Sequence, residues 1–168
     1  MDATELRAVQ APLKDRYRQE PEAALVTLRA AGRLGDEDVS CSVETGRALV
    51  EAGLHPASGG DGSLACSGDM LLQALVACAG VTLRSVAVNR GIAVTGGTVS
   101  AEGDLDFRGT MGVDRETPVG FRAIRLRFDL ETTATPEELD TLLGLTERYC
   151  VVFQTLASTP ELSVLRIP

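Results

Sequence analysis

The chain has 168 residues, 44% of them apolar, with no tryptophan and a formal net charge of −8. That length and apolar share fit one domain with a mostly aliphatic core. The acidic balance argues against nucleic acid or an anionic membrane as partner, and Lys14 is the only lysine.

The first ten residues, MDATELRAVQ, lack the charged-then-apolar pattern of a signal peptide, so a cytoplasmic protein is expected. In that compartment idle thiols stay reduced. The four cysteines therefore read as thiols or a catalytic pair rather than a disulfide framework. With no CxxC and with His55 as the one histidine, no Cys/His metal site and no cofactor are expected.

Residues 1–36 read as a helical arm that covers a sheet edge or a partner subunit, and residues 37–168 as the main domain. Asp2 and Glu5 have capping-box spacing, and Leu6, Val9 and Leu13 recur at helical spacing before a kink at Pro12. Pro21 suits a first helical position and Gly32 a helix end. Val39, Cys41 and Val43 then alternate with polar residues and turn at Thr45-Gly46 into 47–52, which predicts a hairpin. A loop with Gly59, Gly60, Gly62 and Gly68 follows. It lacks the GxxxxGK[ST] pattern of a nucleotide-binding loop.

The most distinctive stretch is Ser67–Arg90. Ser67 or Asp69 suits the cap, and between Met70 and Leu83 only Gln73 and Thr82 have polar side chains. A helix over 69–89, roughly 31 Å long, is apolar on nearly every face and so should be buried on nearly every face. Its apolar run is short for a bilayer span, which wants about 20 apolar residues. Cys78 sits mid-helix and shares a face with Leu71, Ala74, Leu75, Val81, Thr82 and Ser85. On the helix alone, Cys78 reads first as a small core hydrophobe and only second as a reactive thiol.

Downstream, 92–94 and 98–101 read as strands around a Gly96-Gly97 turn, and 108–120 as a mobile connection. The clearest strand is FRAIRLRFDLE. Ile124, Leu126, Phe128 and Leu130 face the core, while Arg125, Arg127, Asp129 and Glu131 face water. Thr135-Pro136-Glu137-Glu138 is a strong helix start, and that helix reaches Tyr149-Cys150. Residues 162–167, after Pro160, read as a last strand.

The Cys78 helix, the following strand region, the TPEEL helix and ERYCVVFQTL together resemble the OsmC/Ohr family over about residues 39–168. The resemblance implies an α+β fold of intertwined homodimers, with long Cys-bearing helices packed against antiparallel sheets. It implies a thiol-dependent peroxidase in which Cys78 attacks an organic hydroperoxide and Cys150 resolves the sulfenic acid. An external dithiol would then reset the pair. The family also supplies an Arg from the early hairpin and an acid near the start of the Cys helix. Arg47 and Asp69 are the candidates here, and each has a plainer reading as an exposed hairpin charge and a helix-capping acid. This chain has Ser67-Gly68-Asp69 where the usual Pro-Glu would stand, and Val151 after Cys150. Because apolar surroundings raise a thiol pKa and Cys78 lies deep in its helix, the expectation is that a cation must reach it. The alternatives are a non-catalytic binding or redox-sensing protein with an apolar pocket beside Cys78, and a structural stress protein with inert thiols.

Overall fold

The computed structural model describes residues 2–5, 8, 10, 11, 19, 32–34, 40–44, 49–112 and 114–167. The arm begins as expected. The Asp2 N–H donates to Glu5 at 2.9 Å and the Glu5 N–H donates back to Asp2 at 2.8 Å. The kink at Pro12 and the second arm helix fall outside the described residues.

Four short strands form one sheet in sequence order: β1 (Gly32–Leu34), β2 (Ser40–Glu44), β3 (Leu49–Gly53) and β4 (Ala65–Cys66). The β2–β3 hairpin is the one expected. Gly32 does not end a helix, however; it opens β1, opposite Val43 of β2. The pairing of β3 with β4 is parallel and sets Gly53 opposite Cys66, delivering the chain directly into helix α1 (Ser67–Arg90).

Helix α1 has 24 residues and begins at Ser67, so neither Ser67 nor Asp69 is its cap. Cys66 occupies the N-cap without a side-chain hydrogen bond, Asp69 lies in the first turn, and Gly91 closes the helix in a left-handed conformation at φ 69°. Its burial differs from the sequence expectation. Within one chain a single stripe, Leu75, Ala79, Leu83 and Ala87, is buried, while Val81 on another face is 73% exposed. That stripe has i, i+4 spacing, the geometry of a helix lying on one layer. By length and composition alone α1 suffices to cross a bilayer, beyond what the apolar run indicated. A helix at the core of a folded domain has the same character, and here α1 packs on β5, α3 and α4.

The second sheet is an antiparallel pair, β5 (Val94–Leu105) with β6 (Phe121–Thr132). A single long strand replaces the two short ones expected around Gly96-Gly97: both glycines stay paired, opposite Glu131 and Leu130, and the bulge falls just before them, at Thr95. Gly97 is required there: its φ is 129°, and a Cβ would collide with the Asp129 carbonyl. Ile124, Leu126, Phe128 and Leu130 pack toward the core as their alternation predicts. On the wet face Arg125 pairs with Asp104 and Glu102, and Arg127 with Glu102 at 3.1 Å.

Between these strands lies the one-turn helix α2 (Phe107–Thr110), where a loose connection was expected. The capping box of α3 (Pro136–Tyr149) is present in both directions, Thr135 N–H to Glu138 at 2.8 Å and Glu138 N–H to Thr135 at 3.3 Å. Helix α4 (Val151–Ala157) follows at once. The last strand is not found: residues 159–167 have no regular structure, and Leu162, Val164 and Ile167 are 79%, 98% and 89% exposed. A strand needs an edge to pair with, and this segment meets none among the described residues.

Candidate active site

Cys150 is the one residue between α3 and α4. Its backbone is extended, at φ −74° and ψ 108°, so the two helices meet at an angle rather than as one rod. Its own N–H still closes α3 on the Thr146 carbonyl at 2.9 Å, and its carbonyl opens α4 by accepting from Gln154 at 2.9 Å. The first N–H groups of a helix have no partner inside it. Here those of Val151 and Val152 are turned onto the sulfur of Cys78.

The two thiols sit in one apolar cluster. Leu75, Ala79 and Cys150 are its buried members, and Cys78, Ile124, Leu126, Val152 and Phe153 pack against them. Burial pushes the Cys78 thiol up, but four donors oppose it: the Val152 N–H, the Cys150 thiol, the Val151 N–H and the Thr82 hydroxyl. The balance leaves Cys78 below the ordinary thiol range. Cys150 goes the other way. Burial raises it, the Phe153 N–H partly offsets that, and its hydrogen bond to Cys78 and the charge developing there raise it further. Of the two thiols, Cys78 is therefore the one that ionises more readily and Cys150 the one that holds its proton.

Among the described residues, the groups that lower Cys78 are hydrogen-bond donors. Thr82, one turn beyond Cys78, shares its face by simple i, i+4 spacing, so the sequence held the signal without assigning it a role. The Val151 and Val152 N–H groups carry no sequence signal, since only the break at Cys150 aims them.

Of the four candidate residues, Cys78 and Cys150 come together. Asp69 does not join them: it lies nine positions before Cys78, about 13 Å along the helix, on the surface beside Leu72, Gln73 and Val76. Arg47 and the side chain of Cys41 lie outside the described residues. Cys66, Cys78 and Cys150 are free thiols. His55, read as a loop residue without a partner, accepts from the Ala57 N–H at 3.0 Å and stacks on Phe107 with ring centroids 5.0 Å apart.

Residues 60–164 match the family model described as OsmC-like protein. The chain belongs to the OsmC-like family. An OsmC-like protein from Mycoplasma pneumoniae superposes with a TM-score of 0.67 at 18% identity, covering 80% of this chain and 89% of that one. An organic hydroperoxide resistance protein from Elizabethkingia anophelis gives 0.64 at 17% identity, over 81% and 91% of the two chains. The organic hydroperoxide resistance protein OsmC of Legionella pneumophila gives 0.62 at 16%, over 79% and 91%. At these identities the likeness is one of fold. No curated protein matches the chain at a significant level. The OsmC-like match begins at Gly60, so the arm and the β1–β3 strands precede it.

Proposed function

We propose that this OsmC-like chain is a thiol-dependent peroxidase acting on organic hydroperoxides. The observation that carries this reading is the packing of Cys78 with Cys150 in one cluster, with the Cys78 pKa lowered and the Cys150 pKa raised. The Cys78 thiolate attacks the outer peroxide oxygen and the O–O bond breaks. The alkoxide leaves as an alcohol after taking up a proton, and Cys78 becomes a sulfenic acid. Cys150 then attacks the sulfenic sulfur, water departs, and a Cys78–Cys150 disulfide forms. An external dithiol reduces that disulfide by two electrons and restores both thiols. The aliphatic and aromatic cluster around the pair favours an organic hydroperoxide over hydrogen peroxide.

The active form in this proposal is a cytoplasmic homodimer. The exposed face of α1 around Val81 and the unpaired segment 159–167 support it, as apolar surfaces that a second copy would cover. A non-catalytic binding or redox-sensing role is the competing reading, supported by the apolar surroundings of Cys78.

The deciding experiment counts thiols by mass spectrometry before and after one equivalent of cumene hydroperoxide, in wild type, Cys78→Ser and Cys150→Ser. Peroxidase activity predicts fast loss of two thiols, an intrachain Cys78–Cys150 disulfide, and a sulfenic acid trapped in Cys150→Ser. Oxidation of Cys78 no faster than that of a free thiol in solution would overturn the proposal.

A further inference from the structure

The break at Cys150 exchanges one backbone partner for a side chain. In an unbroken helix the Val151 N–H would donate to the Glu147 carbonyl, four residues back. Here that N–H is turned onto the Cys78 sulfur instead. The Glu147 carbonyl is not left open, because the side-chain amide of Gln154 donates to it at 2.8 Å. Glu147 and Gln154 are 7 positions apart, about two turns of a straight helix, and their bond closes across the angle between α3 and α4. Gln154 also holds the other end of the peptide group that faces the sulfur. Its backbone N–H donates at 2.9 Å to the Cys150 carbonyl, which belongs to the same peptide as the Val151 N–H. The next peptide carries the Val152 N–H, and its Val151 carbonyl accepts from the Thr155 hydroxyl at 2.8 Å.

We propose that Gln154 is a positioning residue for the thiol pair: by occupying the Glu147 carbonyl, it frees the Val151 N–H for the Cys78 sulfur. That N–H can serve one of two acceptors, the carbonyl that would continue α3 or the sulfur that α1 presents. A thiol sulfur is a weak acceptor beside a backbone carbonyl, so an open Glu147 carbonyl would compete for the N–H. The Gln154 amide removes the competitor. Straightening the chain through Cys150 would displace that amide, whereas the bent arrangement satisfies both Glu147 and Cys78. Gln154 is exposed, so its substitution removes a donor without opening a cavity in the cluster around the thiols. The role goes beyond the peroxidase reading, because it concerns how readily Cys78 ionises and applies equally to a redox sensor.

The test is Gln154→Met, which keeps an unbranched side chain of similar length and loses the donor. Iodoacetamide labelling of Cys78, separated from Cys66 and Cys150 by mass spectrometry, should be about threefold slower at neutral pH, the size of a modest hydrogen-bond contribution. The rates should converge at high pH, where the thiol is ionised in both proteins. A second measurement follows the Val151 amide itself. In wild type its NMR shift should move as Cys78 titrates, and in Gln154→Met that movement should shrink. A labelling profile that does not change overturns the proposal, and so does a slower one with the Val151 response intact. Gln154 acting only as a brace between α3 and α4 would lower thermal stability and leave the labelling profile alone, which also overturns it. No hydroperoxide enters these measurements. The peroxidase reading can therefore fail on slow peroxide oxidation of Cys78 while the role of Gln154 stands, and the reverse.

Discussion

Replacing Thr82 with Val tests the assignment of the thiolate most sharply. The two side chains are nearly the same shape, so the core loses a hydroxyl and little volume. Thr82 is half-buried and donates to the Cys78 sulfur. A hydrogen bond to a charged acceptor contributes about 1.5 kcal/mol, and at 1.36 kcal/mol per decade that is roughly a tenfold loss of thiolate at a pH below the thiol's pKa. The sign is fixed. Thr82 lowers the Cys78 pKa, so removing it raises that pKa and moves the alkylation profile to higher pH. The assay is the pH dependence of iodoacetamide labelling at Cys78, followed by mass spectrometry so that Cys66 and Cys150 are counted separately. At neutral pH, Thr82→Val should label about tenfold more slowly, converging on wild type at high pH where both are thiolates. Thr82→Ser should restore most of the difference. A Thr82→Val profile superimposable on wild type would refute the role given to the hydroxyl.

Leu142 is fully buried against Leu83 and Ala87, so Leu142→Ala should cost about 3 kcal/mol in chemical denaturation. Arg108 holds Asp106 at a pKa of about 2 through side-chain and backbone hydrogen bonds. The stability this lends is present above the ordinary Asp range and fades as pH falls toward that value. Arg108→Ala should move the Asp106 carboxyl titration, read by NMR, upward toward the ordinary range. Val81→Arg, on the exposed face of α1, should shift the chain from dimer to monomer in sedimentation; an unchanged dimer would place the interface elsewhere.

Local pattern alone determined much of this protein. The period-2 run ending in Leu130, the two-way box at Thr135 and Glu138, and the long apolar stretch around Cys78 each use interactions a few residues apart, so each element is legible where it stands. The pairing of Cys78 with Cys150 was legible through family resemblance, and the face shared by Cys78 and Thr82 through helical spacing. Tertiary structure decided the rest. Only the packed chain shows that Cys150 breaks two helices and aims the Val151 and Val152 N–H groups at a sulfur 73 positions earlier in sequence. Only the register of β5 against β6 keeps Gly96-Gly97 within one strand, with the bulge at Thr95. The segment 162–167 has the alternation of a strand and lacks an edge, because alternation specifies which side chains share a face, while pairing depends on a neighbour that a single chain does not provide.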